Sequence, residues 1–131
     1  MEETIKATFI KDGDWWVGYS EDVPGALTQG KTLEEAKENL IDAIRLIRKP
    51  IKTDITSLSH KQEIILKINF AWKKSFIKHL RKHNCILDDE GSKHSKFINI
   101  ENGKVATVPR HKEINDFLVI KICKELEIPN P

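Results

Sequence analysis

Cysteine is nearly absent from this chain: Cys85 and Cys123 are the whole complement, and neither belongs to a C-x-x-C pair. With no secretory h-region opening the chain, the expected compartment is a reducing cytoplasm. Long hydrophobic runs are missing too. None approaches the roughly 20 residues needed to cross a bilayer, so a soluble protein without membrane contact is expected.

What remains is a short chain with an uneven charge. At 131 residues and 39% hydrophobic content it is one domain or two very small ones, and two would have to share a core. Residues 1–70 hold ten Lys/Arg against twelve Asp/Glu, whereas residues 71–131 hold twelve against eight, with four of the five histidines. That division favours attraction between the halves and gives only the second a phosphate-binding surface.

In the first half, residues 4–10 alternate with Ile5, Ala7 and Phe9 on one face. Asp12-Gly13 then supplies a tight turn into Trp15-Trp16-Val17-Gly18-Tyr19, which reads as a β-hairpin. Pro24-Gly25 marks a second turn before a short strand at Ala26–Gln29, ended by Gly30. Thr32 with Glu35 forms a capping box, and Leu33, Ala36, Leu40, Ile44 and Ile47 share one helical face up to about Arg48. Trp15 and Trp16 fall on opposite faces, so one of them is expected at an interface or on an edge.

The run from Asp22 to Ala36 (D-V-P-G-A-L-T-Q-G-K-T-L-E-E-A), preceded by the Asp12-Gly13 hairpin, resembles the HicB family of antitoxins over residues 3–48, with Glu63–Phe70 as a candidate last strand. The resemblance implies a degraded RNase H-like fold that binds and masks a toxin. Members often add a DNA-binding segment, but nothing here has the shape of one, which puts DNA binding in doubt. Asp12, Asp14, Glu21 and Asp22 are not read as an inherited metal site. Asp12 and Asp14 flank a turn that favours Asp for local backbone reasons. No metal and no cofactor are expected.

The second half carries a basic amphipathic helix, with Trp72, Phe76 and Leu80 on one face and Lys73, Lys74, Lys78, Arg81 and Lys82 elsewhere. Strands follow from Cys85, over His94–Ile100 and over Lys104–Val108, the last two joined by an Asn102-Gly103 turn. A closing helix from about Lys112 would bury Val119, Ile122, Cys123 and Leu126. His79 and His83 are expected on the surface.

The stretch Gly91-Ser92-Lys93-His94 and the strand end Val108-Pro109-Arg110-His111 place a proton-exchanging side chain among cations. That combination suits metal-free cleavage of RNA. Within an α-β-β-β-α order these motifs resemble the HicA family of mRNA-interfering toxins over about residues 72–128. The resemblance implies a fold like a double-stranded-RNA-binding domain, with His94 as the catalytic residue.

The expectation is thus an α+β chain in two modules. Residues 1–70 form a HicB-like antitoxin of small β-sheet plus helix, and residues 71–131 a HicA-like endoribonuclease with the α-β-β-β-α order. His94 is the expected catalytic residue, and Lys93, Lys96, Lys104, Arg110 and His111 are the expected RNA contacts, converging around it. The first module would mask the second within one chain or in a domain-swapped homodimer. The alternatives are a non-catalytic RNA-binding or toxin-neutralising protein, or a purely structural domain.

Overall fold

Gly13, with φ of 62°, opens a two-residue reversal that joins β1 (Thr8–Asp12) to β2 (Trp15–Tyr19). Positive φ at the first central position is what such a hairpin turn needs. The computed structural model describes residues 3–54 and 74–131; the strand expected at Glu63–Phe70, Trp72 and the boundary at residue 70 lie outside them. Strand β1 begins at Thr8, later than the alternation suggested, because β2 offers no partner beyond Tyr19. Side chains take over there. Asp22 accepts from the Lys6 amide at 2.9 Å, and Ser20 Oγ donates to the Lys6 carbonyl at 2.7 Å.

The sheet is completed by β3 (Leu27–Gly30), antiparallel to β2. Helix α1 (Leu33–Ile47) starts at the expected cap, where Thr32 Oγ1 accepts from the Glu35 amide at 3.0 Å. In the second half, α2 (Lys74–Lys82) leads into a sheet of β4 (Cys85–Glu90), β5 (His94–Asn99) and β6 (Val105–Pro109), and α3 (Asp116–Leu126) closes it. The α-β-β-β-α order is as expected. Helix α3 starts four residues later than anticipated because Gln29 holds the preceding segment extended, donating to the Glu113 carbonyl and accepting from the Asn115 amide. Asn115 then caps the helix, accepting from the Leu118 amide at 3.1 Å.

Two three-stranded antiparallel sheets and three helices among the described residues make an α+β fold. The sheets meet edge to edge. The Thr107 amide of β6 donates to the Gly25 carbonyl at 2.8 Å, and the Thr107 hydroxyl accepts from the Leu27 amide at 2.9 Å and donates to the Leu27 carbonyl at 2.6 Å. Helices bridge the same seam, since α1 contacts β2, β3, β5 and β6 while α3 contacts both β3 and β6. The main core likewise crosses it: Val17 and Leu27 pack with Phe76, Leu80, Phe97, Val108, Leu118 and Leu126. A smaller cluster of Val23, Ala26, Leu40, Ala43 and Ile44 lies between α1 and the first sheet. Cys123 is fully buried in the main core, as expected, and Cys85 joins it there.

The turn glycines Gly13 and Gly25 differ in their surroundings. Gly25 has φ of 95° and a Cβ there would sit 2.3 Å from the Val105 carbonyl oxygen, whereas one at Gly13 would meet nothing within 4 Å. Gly13→Ala is expected to cost about 1–2 kcal/mol through backbone strain alone. Gly25→Ala should cost clearly more, since β6 must also move away. Urea unfolding of the two variants side by side checks this, and equal losses would contradict the close approach of Gly25 to β6.

Candidate functional site

Strand β5 is buried along its whole length. Its alternation sends His94, Lys96 and Ile98 to one face and Ser95, Phe97 and Asn99 to the other. His94, opposite Pro109 of β6, is 1% exposed. Both of its ring nitrogens are engaged by the first half: Nε2 lies 2.8 Å from Thr28 Oγ1, and Nδ1 lies 2.8 Å from Asp42 Oδ2.

Burial pushes the His94 pKa below the ordinary 6.5, outweighing the hydrogen bond and charge of Asp42 that act to raise it. Burial also opposes ionisation of Asp42, but hydrogen bonds from His94 and Ser92 prevail and hold its carboxyl below the ordinary 3.8. The pair is therefore a neutral imidazole beside a carboxylate. Because a carboxylate only accepts, Nδ1 carries the proton and Nε2 accepts from the Thr28 hydroxyl. Thr28, His94 and Asp42 thus share the connectivity of a hydroxyl nucleophile, its base and an orienting acid. Yet Thr28 is 0% exposed, so no substrate reaches that hydroxyl in this arrangement.

Around His94 the loop Gly91–His94 is closed by the Gly91 amide, which donates to the His94 carbonyl at 2.8 Å. Arg110 holds the loop from behind. Its guanidinium donates to the carbonyls of Gly91, Ser92 and His94, and its backbone amide donates to that of Lys93. The side chain expected to bind phosphate is thus engaged in shaping the loop. Lys93 is exposed, with Nζ 3.3 Å from Asn39 Oδ1. His111 is half-buried; its Nδ1 accepts from Gln29 Nε2 at 2.9 Å and its ring stacks on Trp15 with centroids 5.5 Å apart. Lys31 covers Trp15 at 3.9 Å, so Trp15 is the seam anchor of the two tryptophans. Ser92, Lys93, Arg110 and His111, with Glu35 and Asn39, line one open polar cleft of about 420 Å³.

Two expected RNA contacts stand apart. Lys96 is 0% exposed, held by Asp88 Oδ2 at 3.4 Å and by the Lys49 carbonyl at 2.9 Å. Asp88 reaches inward because it is the extra residue of a β-bulge between Leu87 and Asp89. The same carboxylate accepts from the amides of Lys52 and Thr53, which pins the chain after α1. Lys104 is exposed but lies five residues before Pro109 on β6, roughly 17 Å from the His94 end at about 3.4 Å per residue. It does not converge on His94.

Thr28, Gln29, Asn39 and Asp42 were not anticipated as site residues. The available signal was polarity in the wrong place: Thr28 and Gln29 fill half of a four-residue strand, and Asn39 and Asp42 stand three apart beside the apolar face of α1. The acidic residues Asp12, Asp14, Glu21 and Asp22 do not gather, and no cluster suited to a metal ion occurs among the described residues. No helix among them is long and apolar enough to cross a membrane.

Residues 74–128 match the family model described as HicA toxin of bacterial toxin-antitoxin, a match covering less than half of the chain. His94 and the five expected RNA contacts, Lys93, Lys96, Lys104, Arg110 and His111, all fall within that stretch. No curated protein and no solved structure gives a significant match.

Two predictions follow from the charges. Lys96→Met would strand Asp88 without its cation in a site with 0% side-chain exposure, at an expected cost of about 3–5 kcal/mol in urea unfolding; a loss under 1 kcal/mol would contradict the pairing. The second concerns pH. Burial lowers the pKa of His111 as well, ahead of an opposing effect of Glu35 and a small one of Lys31 in the same direction. The folded state prefers both imidazoles neutral, so their contribution is complete above about pH 6.5 and declines as pH falls toward their folded-state values. Thermal unfolding between pH 8 and 5 should show this decline, with a shallower slope in His94→Gln and in His111→Gln. Unchanged slopes in both variants would refute the assignment.

Proposed function

We propose that the chain is a toxin–antitoxin fusion, in which a HicA-like, metal-independent endoribonuclease within residues 71–131 is masked by a HicB-like module within residues 1–70. The observation that carries this reading is the occupation of both His94 ring nitrogens by Thr28 and Asp42 of the first half. The match of residues 74–128 to the HicA toxin model supports the toxin assignment. The opposite charge balance of the halves supports their association, within one chain or in a swapped dimer.

Uncovered, His94 loses the burial that depresses its pKa and returns toward 6.5, where acid and base forms are both populated near neutrality. In the proposed reaction the ribose 2′-hydroxyl gives its proton to the imidazole as the 2′-oxygen bonds to phosphorus. The bond from phosphorus to the 5′-oxygen breaks, and the leaving oxygen takes a proton from solvent water. The product ends would be a 2′,3′-cyclic phosphate and a 5′-hydroxyl, and DNA, lacking the 2′-hydroxyl, would be spared. Lys93, His111 and a released Lys96, two residues from His94 on the same strand face, would contact the RNA backbone in the cytoplasm.

The burial of His94 also favours a second reading, a satisfied strand histidine in a non-catalytic RNA-binding or toxin-neutralising protein. Single-stranded RNA incubated in EDTA with the intact chain, with Thr28→Arg and with Thr28→Arg plus His94→Ala separates the two. An arginine at this fully buried position should open the seam. Cleavage at least about tenfold faster than the intact chain is expected, with the added His94→Ala lowering it by about 10²–10⁴. A folded Thr28→Arg chain that binds RNA in a salt-sensitive way without cutting it would select the second reading.

A further inference from the structure

The Asp42 carboxylate sits in a setting built for an anion. Oδ2 meets His94 Nδ1 at 2.8 Å, Oδ1 meets Ser92 Oγ at 2.8 Å, and the Lys93 backbone amide also donates toward it. These donors come from three consecutive residues of one loop. The reason that loop presents donors is visible on its other side, where all four carbonyls from Gly91 to His94 are engaged by Arg110. A face with amide, hydroxyl and imidazole donors and no competing carbonyl is suited to a negatively charged group with two oxygens on one atom. The rim is open: Ser92 and Lys93 are exposed, and the Asp42 side chain is 24% exposed.

A carboxylate and a phosphodiester share that arrangement of two anionic oxygens. We propose that Ser92 Oγ, the Lys93 amide and His94 Nδ1 form the pocket for the scissile phosphate of RNA, and that Asp42 inhibits by occupying it as a phosphate mimic. The inference rests on the nuclease reading and sharpens it in two respects. Ser92 becomes a substrate-binding residue, and Nδ1 becomes the nitrogen of His94 that faces the reacting phosphate. Arg110 is then a positioning residue, acting on the phosphate only through the loop it holds.

The pocket can be tested without RNA, on the full chain with inorganic phosphate as the probe against chloride at equal ionic strength. Asp42→Ala vacates the pocket, and phosphate should then raise its Tm by about 3 °C or more, with binding at least about tenfold tighter than to the intact chain. Adding Ser92→Ala should abolish the gain, and phosphate should shift the imidazole ¹⁵N resonances of His94 in the single variant only. Asp42→Ala responding no more than the intact chain would overturn the proposal. Where Asp42→Ala fails to fold, Asp42→Ser decides: its shorter, uncharged side chain withdraws the carboxylate from the pocket, so phosphate binding no tighter than to the intact chain rejects the pocket. Phosphate binding in a protein whose seam-opened form leaves RNA intact supports the pocket while rejecting the nuclease reading. RNA cleavage without that binding overturns the pocket alone.

Discussion

Strand β5 is buried on both faces and yet carries an imidazole and an ammonium on one of them, and the rest of the fold follows from the need to pair these groups. A buried polar side chain without a partner costs on the order of 1–3 kcal/mol, and a charged one more. The second sheet does not satisfy His94 from its own residues, and it gives Lys96 only Asp88. The remaining partners, Thr28, Asp42 and the Lys49 carbonyl, all come from the first half. The seam is thus a polar necessity of β5 as well as an apolar contact.

Much of this architecture was legible because it is locally encoded. The Gly13 turn, the Thr32 cap, the apolar stripe of α1 and the buried face of α3 each depend on residues within a few positions of one another, and they occur as read. The late starts of β1 and α3 were not legible, since each is set by a distant partner: the end of β2 in one case, Gln29 in the other. The same distinction separates the site residues. His94, Lys93, Arg110 and His111 gather because β5 and β6 pair in register. Lys96 looked like its neighbours in sequence, but the bulge that turns Asp88 toward it is a feature of pairing, invisible in composition. Asp42 went unread because nothing near it in sequence announces a histidine 52 positions away.

The seam also joins the cores of the two halves. The main core draws Val17 and Leu27 from the first sheet into the second half's own cluster. The Thr107 hydroxyl makes the junction possible by bonding to both the Leu27 amide and carbonyl, which satisfies a strand edge where a backbone ladder stops. Gly25 lets that edge approach by presenting no Cβ to the Val105 carbonyl.

These contacts constrain how His94 becomes accessible. Rotating the imidazole alone would abandon Thr28 and Asp42 together inside a protein interior, so side-chain motion is an expensive route. Lifting α1 removes Asp42 and Asn39 but also strips the small core beneath Leu40, Ala43 and Ile44 and leaves Thr28 in place on β3. Moving β3 frees Nε2 but breaks its bonds to Thr107 and exposes Leu27. The two nitrogens are therefore covered from two different elements, each tied to a different apolar cluster. Full exposure of His94 requires both to leave, which makes uncovering a cooperative event of the whole first half and keeps the closed arrangement insensitive to local fluctuation.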